Sequence, residues 1–454
     1  MKLDNINRVF LLGIGGIGMS ALARYFSLQS KRIYGYDKTS TDLTKKLVEE
    51  GFQILYTDLP EKIPEEIINS KTLFIYTPAV PKDNKIFSFI VSKGYQWYKR
   101  SDVLGKLSES FECIAIAGTH GKTTISGMTA HILFNSKAGC NAFVGGILVN
   151  YQSNLLTHKN SSFMVTEADE YDQSFLKLHP DSILISSVDP DHLDIYHSFS
   201  NLQNTFLSFA NRLKKNKRLI IHHKLKSLFN NNSYLSYAID QTNADFYAEN
   251  IRLLNGKYIF DIITPKARIP DVELGIPGWI NIENALGASA LSYIHGADLA
   301  EIKNGLSTFR GIKRRLEAIL INNKIVYFDD YAHHPIEIDA AISSIKKMYP
   351  QRQLTVVFQP HLYSRTRDLA AEFGRSLQAA DVIILLDIYP AREPKIKGIS
   401  SNLILSNINN RNKTIVERKA LLPLLKKQSP ELLLTLGAGD IDQFVEPIKE
   451  QFTQ

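Results

Sequence analysis

The residues best placed to do chemistry sit in two glycine-rich loops. The first to stand out is Ala117–Thr124, which reads AGTHGKTT and follows the apolar run CIAIA. In such a loop the backbone N–H groups of Gly118, Thr119, His120 and Gly121 can cradle phosphates. Lys122 can neutralise them, the Thr123 hydroxyl can hold Mg²⁺, and Thr124 belongs to the same nucleotide-binding run. A strict G-x-x-x-x-G-K-[ST] would need glycine at position 116, where Ile116 stands. This is therefore a variant phosphate loop, and the expected ligand is ATP. The second loop, Gly13, Gly15, Gly16 and Gly18, contains G-x-G-x-x-G, and Asp37 closes the next strand-like run, RIYGYD. That spacing matches the fingerprint in which glycines admit a pyrophosphate and an acid meets a ribose hydroxyl. Read alone it proposes an NAD-dependent oxidoreductase, but a nucleotide-sugar carries the same pyrophosphate.

Carboxylates and histidines recur after later apolar runs. FMVTEADEYD places Glu167 where a Mg²⁺-binding acid of an ATPase sits. ILISSVDPDHLDIY places Asp189, Asp191, His192 and Asp194 after another run, which suits metal or phosphate contact. DDYAHHP, QPHLYSRTRD and DIYPARE follow three more, and Arg314–Arg315 precedes them all. Arginine suits bidentate contact with phosphate or carboxylate, and histidine exchanges protons near neutrality. Three such clusters at successive strand ends predict a shared site.

The elements that must position these groups alternate short apolar runs with amphipathic stretches: RVFLLG then MSALARYF, CIAIAG then TISGMTAHILF. This is the pattern of parallel βαβ units. Three α/β domains are expected, at about 1–108, 109–313 and 314–454, the first and third Rossmann-like and the central one a P-loop ATPase domain with a parallel sheet. The chain has 454 residues, 44% hydrophobic and 22% charged, which excludes disordered and fibrous classes. A net charge of +7 comes from 53 basic and 46 acidic residues, and the lysines are dispersed. Nucleic acid is not an expected partner. No apolar stretch approaches the ~20 residues of a membrane span. The start, MKLDNINRVFLLGIGG, runs straight into a glycine loop and not into a cleavage site, so a cytoplasmic protein is expected. Two cysteines, Cys113 and Cys140, permit neither a disulfide framework nor a four-cysteine zinc site.

The motifs GIGGIGMSALA, AGTHGKTT, EADEYD, DHLDIY, NIENALGA, RRLE, DDYAHHP, QPHLYSRTRD and GAGD, in this order, resemble the Mur ligase family over the whole chain. The resemblance is strongest to its alanine-adding branch. It implies a first domain that binds UDP-N-acetylmuramate through Gly13, Gly15, Gly16, Gly18 and Asp37, in place of NAD. It implies ATP on the central domain, with Lys122 on phosphate and Thr123, Glu167 and His192 serving two Mg²⁺ ions. Asn284 is matched to an adenine contact, and Arg315 and Asp330 to further ATP contacts. Tyr331, His333, His361 and Arg365 are matched to positions around the incoming L-alanine and the transferred phosphoryl group. Lys122, His333, His361 and Arg365 form the implied catalytic set. Trp279-Ile280 replaces a commoner Arg-His, and Leu362 replaces a common Arg, leaving Arg365 as the carboxylate partner. No lysine lies between Leu193 and Leu213 where sister ligases carry a carbamylated one, as in the alanine-adding branch. A ligase that reattaches salvaged tripeptide is the nearest rival, and an NAD-dependent oxidoreductase and a non-catalytic nucleotide switch are the rivals from other classes. Alanine against glycine or serine, the group that takes the amine proton, and the oligomeric state stay open.

Overall fold

Continuous runs such as RVFLL, CIAIA and LLLTL, apolar on both alternating faces, can be satisfied only in strands covered on both sides. In the computed structural model, which describes residues 5–81, 83–190, 193–214, 218–230, 232–391 and 393–453, they form the centres of three sheets.

The first sheet comprises β1 (Arg8–Leu12), β2 (Arg32–Tyr36), β3 (Gln53–Leu55), β4 (Thr72–Tyr76) and β5 (Trp97–Lys99), in the order β3-β2-β1-β4-β5 with every pair parallel. Alternation along β1 sends Val9 and Leu11 to one core and Phe10 and Leu12 to the other. The second of these is aromatic, with Phe87 stacked on Trp97 at 5.3 Å. Because β1 lies between β2 and β4, the connections on either side diverge, leaving a crevice beyond its carboxyl end. The glycine loop occupies that end, followed by the helix Ile17–Leu28.

The second sheet comprises β6 (Glu112–Ala117), β7 (Asn141–Leu148), β8 (Ser153–Leu156), β9 (Phe163–Glu167), β10 (Ser182–Ile185), β11 (Arg218–His222), β12 (Leu235–Ile239), β13 (Phe246–Leu254), β14 (Lys257–Ile263) and β15 (Arg268–Glu273). Its order is β15-β14-β13-β12-β11-β10-β6-β9-β7-β8, with β12 to β7 parallel and β8 antiparallel. The third comprises β16 (Glu317–Ile321), β17 (Val326–Asp330), β18 (Leu354–Phe358), β19 (Val382–Leu385), β20 (Lys413–Ile415) and β21 (Leu432–Leu436). There the order is β16-β17-β21-β18-β19-β20, parallel except for β16. The expected α/β architecture of three mainly parallel sheets is therefore present. No helix among the described residues is long and apolar enough to cross a membrane.

By packing, the chain divides into two compact units. Unit one is 1–248, 262–269 and 284–305; unit two is 249–261, 270–283 and 306–454. Unit one holds the first sheet together with most of the second, joined through a buried polar network. Asn154 of β8, fully buried, accepts from Arg24 Nη1 at 2.5 Å and donates to Ile17 O at 2.5 Å and Ser20 Oγ at 3.0 Å. Glu50 takes the rest of the Arg24 fork in two bonds of 2.8 Å. Every strong polar group in the contact thus has a partner, which is the condition for burying it. Lys214 pairs with Asp181 at 2.9 Å, while 215–217 lie outside the described residues.

Candidate active site

The loop after β6 lies between the carboxyl ends of β9 and β10, and both contribute to it. Gly118 has φ +138° and Gly121 φ +82°, values that L side chains rarely adopt. A Cβ on Gly118 would also stand 2.1 Å from Ser186 Oγ. The loop is tied down from β10: Ser187 Oγ accepts from His120 N at 2.9 Å and bonds Thr119 Oγ1 at 2.9 Å. Asp189 N donates to Thr119 Oγ1 at 3.1 Å. Gly121 then caps the helix Lys122–Phe134, whose first N–H groups and dipole favour an anion.

At that helix start Thr123 Oγ1 lies 3.0 and 3.1 Å from the two Glu167 oxygens. A hydroxyl and a carboxylate side by side are the hard oxygen donors that Mg²⁺ prefers, so the residues fit the ion. Lys122 Nζ donates to Gly118 O at 2.6 Å and to Glu170 Oε1 at 2.8 Å. Glu170 is 1% exposed, and burial raises its pKa while Lys122 opposes the rise. His120 is exposed and lies 3.8 Å from Asp189. Asn284, in the helix Ile280–Ile294, is buried with Oδ1 2.7 Å from where a Gly121 Cβ would stand. His192 and Asp191 lie outside the described residues.

The glycine loop after β1 is built as its spacing predicts. Gly13 has φ +87°, and Gly16 caps the helix Ile17–Leu28. Asp37 accepts from Gly15 N at 2.8 Å and from Thr39 N at 3.2 Å, so its carboxylate shapes the loop. A Cβ on Gly15 would fall 2.7 Å from it. Beyond the loop opens a cavity of about 270 Å³. Gly16 to Met19 and Arg100 line one side, and Gly145, Thr166, Glu167 and Asp169 the other. Arg100 lies 3.6 Å from Asp169. Glu167 thus lines this cavity and also bonds Thr123 at the other glycine loop.

In unit two the carboxyl ends of β17, β21, β18 and β19 stand side by side. Buried Asp330 ends β17, accepting from Leu316 N at 2.6 Å and Ala332 N at 2.7 Å; burial pushes its pKa up to about 6. Arg314 is locked onto Asp329 at 3.2 Å and onto the Gly437 carbonyl, while Arg315 is exposed, 5.9 Å over the Tyr331 ring. Glu337 accepts from His333 N at 3.0 Å and His334 N at 3.2 Å, fixing the turn into the helix Pro335–Met348. The His333 and His361 rings are 6.0 Å apart, and His361 stacks on Tyr389 at 5.7 Å. His361 Nδ1 is buried without a hydrogen bond. Burial, reinforced by Arg365 and His333, lowers the His361 pKa to about 4; burial also lowers that of His333. Half-buried Arg365 lies one turn into the helix Tyr363–Leu377, and Ser364 N donates to Glu393 at 3.0 Å.

Tyr331 and His333, beyond the end of β17, and His361 and Arg365, beyond the end of β18, are therefore brought together. The sequence reading did not single out Glu170, Ser186, Ser187, Arg100 or Tyr389. Glu170 and the serines stood inside runs already noted, but Arg100 has no motif around it.

Parallel sheets whose carboxyl ends carry a phosphate loop with lysine, hydroxyl and carboxylate define an α/β enzyme of the phosphoryl-transferring class. Three family profiles match in succession: Mur ligase family, catalytic domain, at 8–112; Mur ligase middle domain at 116–292; and Mur ligase, glutamate ligase domain, at 314–439. The chain is 44% identical over 454 residues to a UDP-N-acetylmuramate–L-alanine ligase of Parabacteroides distasonis, covering 99% of this chain and 98% of that one. It is 44% identical to that of Flavobacterium psychrophilum over the full length of both. The crystal structure of UDP-N-acetylmuramate–alanine ligase MurC from Thermotoga maritima matches with a TM-score of 0.83 at 25% identity, covering 98% of this chain and 99% of that one. A murein peptide ligase of Psychrobacter arcticus shares the fold, with a TM-score of 0.70 at 21% identity over 98% of each chain. The chain belongs to the Mur ligase family.

Proposed function

We propose that this protein joins L-alanine to the lactyl carboxylate of UDP-N-acetylmuramate with cleavage of ATP to ADP and phosphate, a step of peptidoglycan precursor synthesis carried out in the cytoplasm. The observation that carries this reading is the position of Glu167, which is bonded to Thr123 of the phosphate loop and also lines the cavity at the glycine loop. A dehydrogenase would use the first loop and leave AGTHGKTT idle. A nucleotide switch would leave the His333–His361–Arg365 cluster idle. The 44% identity to UDP-N-acetylmuramate–L-alanine ligases favours the alanine-adding over the salvage reading. The division of labour that goes with it is UDP-sugar on 1–108, ATP on 109–313 and amino acid on 314–454.

A carboxylate is a poor electrophile, so it must be activated before an amine can displace oxygen from it. The lactyl carboxylate attacks the γ-phosphorus of ATP, giving an acyl phosphate and ADP. The alanine amine then attacks the acyl carbon, and the tetrahedral intermediate expels phosphate. Lys122 and the loop amides hold the phosphates and oppose the charge on the transferred group. Thr123 and Glu167 would hold one Mg²⁺, and the resemblance gives a second to His192; the ions, when bound, screen phosphate charge. Arg365 anchors the alanine carboxylate beside Tyr331, and Arg315, Asp330 and Asn284 complete the ATP contacts. His361, kept neutral by its surroundings, or His333 takes the amine proton.

The test is phosphate release from ATP and Mg²⁺ with UDP-N-acetylmuramate and alanine, glycine, serine or tripeptide, with product mass measured in parallel. Alanine-dependent phosphate and a product heavier by one alanyl residue are expected. Turnover with tripeptide alone would move the protein to the salvage branch, and ATP binding without turnover would favour the switch.

A further inference from the structure

Glu170 is a buried carboxylate at the phosphate loop to which the reaction above gives no part. Its side chain is 1% exposed, and Oε2 is buried without a hydrogen-bond partner among the described residues. Oε1 accepts from Lys122 Nζ at 2.8 Å. Its backbone is clamped as well, for Glu170 O accepts from Tyr196 Oη at 2.5 Å and from Gln173 N at 2.9 Å. The chain then passes through Asp172 and Gln173 at φ +50° and +60°, conformations that non-glycine residues adopt at a cost. Strain of this kind persists where neighbouring structure over-determines it, and it clusters at functional sites.

An ammonium has three N–H bonds and no acceptor. Two of those on Lys122 point to Gly118 O and Glu170 Oε1, anchors at 2.6 and 2.8 Å that the surrounding structure holds rigid. With two directions set, the third is set too. A lysine with one anchor would swing about its flexible stem, and a misplaced charge is worth little to a transition state. We propose that Glu170 is a positioning residue that aims the Lys122 ammonium at the phosphoryl group being transferred. It touches no substrate and stays paired with Lys122 through the cycle. This assignment rests on the ligase reading for what the lysine is aimed at, but the pairing can be read without it.

The experiment compares Glu170→Ala, Glu170→Gln, Lys122→Ala and the Lys122→Ala/Glu170→Ala double variant, each checked for wild-type circular dichroism. Trace acetylation mapped by mass spectrometry reports the lysine directly and needs no substrate. Lys122 in Glu170→Ala should be acetylated several-fold faster than in the wild type, and in Glu170→Gln, which keeps an acceptor in place, at the wild-type rate. In turnover, Glu170→Ala should lower kcat about 100-fold with KM for ATP within about 3-fold, and Glu170→Gln should recover most of the loss. Added to Lys122→Ala, Glu170→Ala should cost less than about 2-fold more, because it acts only through the lysine. Unchanged acetylation in Glu170→Ala, equal losses in Ala and Gln, or a full further loss in the double variant would each overturn the assignment. A wild-type protein that turns over no acceptor overturns the ligase reading instead, and the acetylation rates still decide the pairing.

Discussion

At the scale of single residues, the site works by setting charge states through burial. His361 shows this in unit two. Its ring stacks on Tyr389, Arg365 and His333 face it, and Glu393 is the one acid opposing their effect. A native pKa near 4 means that the folded protein leaves His361 neutral where an unfolded chain, with a value of about 6.5, binds a proton. Below about 6.5 the unfolded state therefore takes up more protons, and stability is lost as pH falls toward 4. His333, shifted the same way, adds to the slope. Urea midpoints at pH 7 and pH 5 should fall further for the wild type than for His361→Gln; equal falls would show that His361 is not held neutral.

At the scale of elements, parallel strands bring their carboxyl ends to one edge, and loops from non-adjacent sequence meet there. β7 supplies an example with no side chain at all. A Cβ on Gly145 would stand 2.0 Å from Glu167 Oε2, so glycine at this point of the strand is what leaves room for the carboxylate beside Thr123. Gly145→Ala should displace Glu167 and lower kcat by about 100-fold, the order expected of a displacement near 1 Å. The residue is solvent-exposed, so the thermal midpoint should move by less than about 4 °C, the lower end of what 1 kcal/mol does. A variant with full activity would show that the strand does not set the position of Glu167. The glycines at 118 and 121 act differently, through φ values that L side chains rarely adopt.

At the scale of the molecule, unit one depends on a polar core that joins two sheets. Asn154 serves Arg24, Ile17 and Ser20 at once, and its removal would leave a buried guanidinium one partner short. Asn154→Ala should cost about 2–4 kcal/mol, because a buried charge without its partner keeps the desolvation penalty and loses the compensation. Urea unfolding followed by Trp97 fluorescence, in the first sheet, and by far-ultraviolet circular dichroism should separate into two transitions in this variant and coincide in the wild type. Coincident, unshifted transitions would show that the network does not hold the sheets together.

The sequence by itself determined the α/β class, because alternating apolar runs and amphipathic stretches leave few ways to bury both. It also determined the two glycine loops, since glycine at a given spacing is a statement about backbone angles, and the order of motifs carried the family. It placed Tyr331 and His333 after one strand and His361 and Arg365 after another, and parallel pairing does the rest. What it could not decide was which neighbour each group answers to. Asp37 carries the spacing of a ribose-binding acid, yet its carboxylate is bonded to the Gly15 amide. Arg314 and Arg315 are adjacent in the chain, yet one is locked onto Asp329 and the Gly437 carbonyl while the other stands exposed. Arg100 reaches the cavity and Glu170 reaches Lys122 only because strands distant in sequence end side by side. Burial and partnership are properties of packing, and only the folded chain sets them.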